Sequence, residues 1–155
     1  MTMKNVPPEV LAARKAQYLR NIAELDYRRN LLRLQQLGLP QTEIASLLRV
    51  SQPNVQKILQ RSASISMPCE GFSGADPYEI CERYAAGLID RAQLVDELTR
   101  WEYVPQAQTN DLFDDLLMDA PGSVDDLDRA LSCGLIDDEL YDEIADRNEA
   151  RKTAE

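Results

Sequence analysis

The segment 37–59 constrains the fold more than any other part of the 155-residue chain, because its residues suit two short helices joined by a tight turn. Ser51 can cap the second helix, and Pro53 then lies in the first turn, where a missing N–H is harmless. Val50 would fill the turn, and the small Ala45 would let the helices cross closely. The apolar residues recur at the spacing of a buried helical face, with Ile44, Ala45 and Leu48 in the first helix and Val55, Ile58 and Leu59 in the second.

This segment resembles the helix-turn-helix of phage-repressor (Cro/repressor-like) transcriptional regulators. Members of that family often read Gln-Thr-x-x-Ala before the turn and Ser-x-x-x-Val after it, which here begin at Gln41 and Ser51. The chain departs from the family at Arg49, where glycine usually provides a left-handed backbone conformation. We therefore expect a turn that is tighter than usual or reshaped.

The resemblance implies that the second helix enters the major groove of DNA with its N-terminal half on base edges. Its side chains suit that role, since Gln and Asn amides can pair with adenine and Lys can reach guanine or a phosphate. The predicted base contacts are Gln52, Asn54, Gln56 and Lys57, the predicted phosphate contacts are Gln41, Thr42 and Ser51, and Arg49 and Arg61 would add positive charge. The alternative is a small helical core with a polar outer face and no ligand.

Charge divides the chain into two parts of opposite sign. Residues 1–62 contain ten Lys or Arg and four Asp or Glu, whereas the remaining 93 residues contain seven and 23. The overall net charge of −10 would repel DNA if it were spread evenly, but the first part carries +6 and the second −16. The distribution predicts DNA binding by the first part and a different task for the second.

A helix of unusual length is predicted between Pro8 and Leu37, with Gly38 ending it. An apolar stripe runs along it with a seven-residue period, interrupted by Arg29. The stripe either packs on the acidic part or pairs with a second copy in a homodimer, as repressors of this type commonly do. The candidate dimerisation residues are Leu11, Tyr18, Ile22, Leu25 and Leu32.

The acidic part contains the sequence Gly-Leu-Ile-Asp twice, at 87–90 and 134–137, between similar helical segments. In each copy the glycine can end one helix and the aspartate can cap the next, which predicts two related helical hairpins. A further helix is predicted at 111–118. We therefore expect an all-α protein with a basic helix-turn-helix domain and long leading helix at 1–61, a linker at 62–75, an acidic all-helical interaction domain at 76–150 and a tail at 151–155.

This layout is similar to that of antitoxins and phage regulators, which implies a sequence-specific DNA-binding regulator that represses its own operon. In antitoxins the second domain binds a toxin, and a negative surface would attract a basic protein such as a co-encoded toxin. The candidate partner-binding anchors are Trp101, Tyr103, Phe113, Leu116 and Leu117. The alternative function is a non-catalytic adaptor, such as a phage or plasmid accessory protein, that acts mainly by binding a basic protein.

Other functional classes are disfavoured by composition. The chain has no histidine and no recognisable nucleophile turn, so we expect no enzyme. Its three cysteines are far apart and have no histidine to join them, which predicts buried or idle thiols, with no disulfide framework, metal site or cofactor. No apolar run approaches the roughly 20 residues of a membrane span, and the N-terminus has no signal core, so we expect a cytoplasmic protein.

Overall fold

A computed structural model describes residues 6–104 and 122–154 of the chain. Within those ranges the protein has seven helices and no strand, which confirms the all-α class there. None of these helices is long and apolar enough to cross a membrane. The predicted helix 111–118 lies outside the described residues. The helices are α1 Pro8–Gln36, α2 Gln41–Leu48, α3 Gln52–Arg61, α4 Pro77–Ala85, α5 Arg91–Arg100, α6 Asp125–Ser132 and α7 Asp138–Ala154.

The chain divides into two compact units, which we call the basic unit, Leu19–Met67, and the acidic unit, Met1–Tyr18 with Pro68–Glu155. The basic unit has seven Lys or Arg and three Asp or Glu, and the acidic unit has ten and 24. Their net charges are therefore +4 and −14. The first residues of α1 are grouped with the acidic helices, unlike the predicted domain 1–61, because Tyr18 packs against the acidic core.

The core of the basic unit joins α1, α2 and α3. Leu48 was expected to be buried in it but is 39% exposed. The reason is that α2 ends at this residue, and Val50, just beyond the turn, packs against the core instead. The buried members of the core are Leu31, Ile44, Ala45, Val55 and Leu59.

Arg49 ends α2 in the left-handed conformation, with φ 59° and ψ 43°. It is the only non-glycine residue with positive φ in the described part of the chain. Val50 N–H donates to the Ala45 carbonyl at 3.0 Å, and Arg49 N–H donates to the Ser46 carbonyl at 3.3 Å. The same bonding pattern ends α1 at Gly38. The expected reshaping of the turn is therefore wrong, because the arginine adopts the conformation that glycine usually provides.

The segment after α3 is held against α1 by a buried arginine. Arg29, which interrupts the apolar stripe in the sequence, is only 2% exposed, and its Nε donates to the Ser66 carbonyl at 3.0 Å. Ser62 Oγ, also buried, donates to the Ile58 carbonyl at 2.6 Å. Residues 62–67, predicted as part of a linker, therefore pack as part of the basic unit.

In the acidic unit, both Gly-Leu-Ile-Asp sequences have the predicted turn chemistry. Gly87 and Gly134 have φ of 80° and 77°. Asp90 accepts from the Gln93 N–H and Asp137 from the Leu140 N–H, both at 2.8 Å. Helix α4 packs on α5 and α6, and α5 packs on α7. The large aliphatic side chains that are fully buried in this unit are Ile80, Leu94, Leu98, Leu140 and Ile144.

Candidate nucleic-acid interface

The first turn of α3 is fixed by its cap, and the helix then presents a polar face. Ser51 lies in extended conformation before α3, and its hydroxyl accepts from the Asn54 N–H at 3.3 Å. Val55 and Leu59 bury the opposite side of the helix in the core of the basic unit. The remaining predicted base contacts on the helix are exposed, namely Asn54, Gln56 and Lys57.

The first residues of α2 and α3 are joined by a hydrogen bond between two amides. Gln52 Nε2 donates to Gln41 Oε1 at 3.0 Å, and both side chains are half-buried. The bond restricts the rotamers of both residues, yet the Gln52 carbonyl oxygen and both Gln41 N–H groups remain unused by it. Sequence reasoning named both residues but not their pairing, since a spacing of eleven residues across a turn carries no periodic signal.

The other predicted DNA contacts also belong to the basic unit. Thr42 is exposed in the first turn of α2, and Arg49 is exposed at the turn. Lys57 and Arg61 follow Asn54 at helical spacing, so these three side chains share one side of α3. Neither Arg49, Lys57 nor Arg61 forms an ion pair with any residue in the ranges 6–104 and 122–154. Their charge is therefore not neutralised by the described part of the chain.

The candidate dimerisation stripe is largely used inside the chain. Tyr18 packs against the acidic core, Ile22 is buried, and Leu32 packs against the core of the basic unit. Leu25 is half-buried, whereas Leu11 is 56% exposed. The structure thus leaves Leu11 at the surface and does not bring the five residues together as one exposed stripe.

Trp101 and Tyr103, the two candidate partner-binding residues that the structure describes, also stabilise the acidic unit. Trp101 Nε1 donates to the Gly122 carbonyl at 3.3 Å, and its ring meets Phe72 edge to face at 5.0 Å between centroids. The Tyr103 hydroxyl donates to the Leu98 carbonyl at 2.6 Å, and burial raises the pKa of this phenol above its usual value. Both rings are half-buried against the acidic core. Phe113, Leu116 and Leu117 lie outside the described residues.

Three buried carboxylates in the acidic unit were not anticipated from the sequence. Glu79 pairs with Arg83, with 3.1 Å between oxygen and nitrogen, and Asp126 accepts from the Gly122 N–H at 2.8 Å. Glu97 accepts from the Ser73 N–H and from Gln93 Nε2. The bonds from Gly122 and Ser73 join loops to helices, whereas Glu79 and Arg83 belong to the same helix. No group of three or more side chains suited to hold a metal ion occurs among the residues that the structure describes.

No protein-family model, curated protein or solved structure matches the chain. Function is therefore inferred from the chemistry of the two units. The basic unit offers amides and cations on one helix face beside a capped helix start. The acidic unit has a net charge of −14 and a well-packed helical core.

Proposed function

We propose that the chain is a sequence-specific DNA-binding transcriptional regulator in which α2 and α3 act as a helix-turn-helix, with α3 in the major groove. The bond between Gln41 and Gln52 carries this proposal. Fixing a free glutamine side chain costs up to about 1.5–2 kcal/mol, so an amide already fixed in the free protein can read an adenine with less loss of entropy. Asn54, Gln56 and Lys57 are exposed on the same helix and have side chains that suit base edges.

The charge of the basic unit supports the same proposal. A net charge of +4 favours approach to phosphates, as do Arg49, Lys57 and Arg61, which form no ion pair with the residues that the structure describes. The acidic unit opposes this attraction, but screening weakens repulsion between exposed charges beyond about 8 Å at physiological salt. Contacts of the cations with phosphates would position the protein on the duplex, whereas contacts of the amides with bases would select the sequence.

The regulator would act as a repressor of its own operon and bind as a homodimer. Two copies are needed to read two half-sites about 34 Å apart along the duplex. Val10 and Leu11 are exposed in the first turn of α1 and Val6 is exposed just before it, and they would contribute apolar area to contact with a second copy. A cross-linking experiment with and without the duplex tests the dimer.

The acidic unit is proposed to bind a basic protein, such as a co-encoded toxin, without catalysis. Its net charge of −14 would steer a positive partner, and the chain has no histidine to act as a general base. Co-expression with the neighbouring gene product, followed by gel filtration at two salt concentrations, tests this role. A complex that forms while duplex binding is absent would favour the adaptor function over the regulator.

The decisive experiment for DNA binding is a titration of the protein with its own upstream duplex and with a scrambled duplex. Gln52→Ala is expected to weaken the native complex by about 1–3 kcal/mol, or roughly 5- to 150-fold, and to spare the scrambled one. Gln36→Ala, at an exposed glutamine that ends α1, is the matched control and should change neither. An equal loss on both duplexes would contradict base reading by Gln52.

A further inference from the structure

A small cleft lies within the basic unit between α1 and the end of α3. It encloses about 50 Å³ and is lined by Glu24, Tyr27, Arg28, Ile58 and Arg61. One water needs at least about 10–15 Å³ of such space, so the cleft has room for a group the size of a phosphate. No residue of α1 was predicted to contact a ligand, and two of the cleft's side chains are arginines.

Several hydrogen-bond donors at this cleft are unused. Arg28 Nη2 contacts Glu24 Oε1 at 2.9 Å, which occupies one of the five N–H groups of this guanidinium. Arg61 and the Tyr27 hydroxyl have no hydrogen-bonding or ionic partner among the residues that the structure describes. Two guanidinium groups, a phenol and the carboxylate of Glu24, which is paired with Arg28, leave the lining with a net charge of +1 and with donors that suit the oxygens of a phosphate.

The cleft lies at the C-terminal end of α3, the helix that is proposed to read DNA. Asn54, Lys57 and Arg61 follow one another along one side of the helix. At 1.5 Å per residue, α3 is about 14 Å long between its first and last Cα atoms, and the major groove is about 12 Å wide. A helix that places its start on base edges therefore brings Arg61 close to the phosphates that border the groove.

We propose that the cleft binds a phosphate group and, resting on the proposed function, that this is a backbone phosphate of the DNA beside the groove. Arg28 and Arg61 donate to its oxygens, and Tyr27 provides a third donor. The contact makes α1 part of the DNA-binding surface and positions α3 without reading sequence. A free nucleotide carries the same chemistry and is the other source of such a group.

The test compares Arg28→Met with Arg20→Met in the full chain. Arg20 is an exposed arginine of the same helix outside the cleft, so both variants lose the same charge. Arg28→Met is expected to weaken the native and scrambled duplexes equally and to reduce the slope of log affinity against log salt by about 0.9. The ratio of wild-type to variant affinity then shrinks about 3.5-fold between roughly 50 and 200 mM salt. We expect Arg61→Met to show the same loss of affinity and the same change of slope as Arg28→Met.

Two other outcomes would contradict the proposal. Equal effects of Arg28→Met and Arg20→Met would mean that only net charge matters, and an unchanged slope in Arg28→Met would mean that no contact exists. In both cases a native-over-scrambled preference in the wild type would leave the proposed function intact. Thermal unfolding of each variant without DNA checks that both remain folded.

A wild-type protein that binds no duplex would remove the proposed function and the DNA backbone as the source together. Titration with adenosine monophosphate then separates the remaining cases. Binding that is lost in Arg28→Met but kept in Arg20→Met would overturn the DNA source and assign the cleft to a free nucleotide. Absence of any binding would overturn the cleft as a phosphate site.

Discussion

Replacing Arg49 with glycine is expected to stabilise the basic unit while weakening its proposed binding to DNA. The residue is held at φ 59°, a conformation in which the Cβ atom of an L-residue crowds the backbone. Its side chain forms no ion pair or hydrogen bond within residues 6–104 and 122–154, so its removal costs the fold little. The same side chain is exposed beside α3, where its charge would attract a phosphate.

The size of the stabilisation follows from two opposing effects. Left-handed conformation costs a non-glycine residue about 1–2 kcal/mol, and glycine does not have this cost. Glycine also loses more conformational entropy on folding, which opposes the gain by about 0.5–1 kcal/mol. The expected net stabilisation is therefore about 0.5–1 kcal/mol. Arg49→Ala is the matched control, because it removes the guanidinium and keeps the Cβ atom in the same conformation.

Native-state hydrogen exchange measures this effect inside the basic unit. The Val50 N–H bonds across the turn to Ala45, and the Val55 N–H bonds to Ser51 at 3.2 Å. If these amides exchange by unfolding of the unit, a gain of 1 kcal/mol slows their exchange about fivefold. Arg49→Gly should show slower exchange than both the wild type and Arg49→Ala, while both variants lose DNA affinity equally. Equal exchange rates in the two variants would refute the argument that the backbone at Arg49 is strained.

Two further predictions concern buried charged and polar groups. Arg29→Met should destabilise the basic unit by about 1–3 kcal/mol, because the Ser66 carbonyl loses its donor, and unchanged exchange of the Val55 amide in this variant would contradict that role. Burial, followed by the charges of Glu79 and Asp76, raises the pKa of Glu82, so its ionisation opposes folding. With respect to this group, the folded state is most stable below the usual glutamate pKa, where the side chain is protonated. That stability is lost as pH rises through the raised pKa of the folded state. Glu82→Gln should therefore raise the melting temperature at neutral pH, with no gain in acid, and a pH-independent gain would point to another cause.

Local chemistry made much of the helical structure predictable. Ser51 and Asp90 cap helices as expected, because a side-chain oxygen needs only a backbone N–H three residues ahead. Gly38 and Gly87 end helices for an equally local reason, which is the absence of a Cβ atom. The exposed amide face of α3 also follows from helical spacing once its apolar side is recognised.

Tertiary packing determined several burials and contacts that the spacing of residues in the sequence could not predict. Whether Leu48 is covered depends on what lies beyond the end of α2, and whether Arg29 can be buried depends on a carbonyl from residue 66. Sequence left open whether the stripe of α1 faces the acidic part or a second copy, and packing assigns Tyr18 to the acidic core. The pairing of Gln41 with Gln52 and the cleft beside Arg61 also join separate helices. Periodicity and capping act within about four residues, whereas these features depend on which distant side chains meet, and only the folded chain determines that.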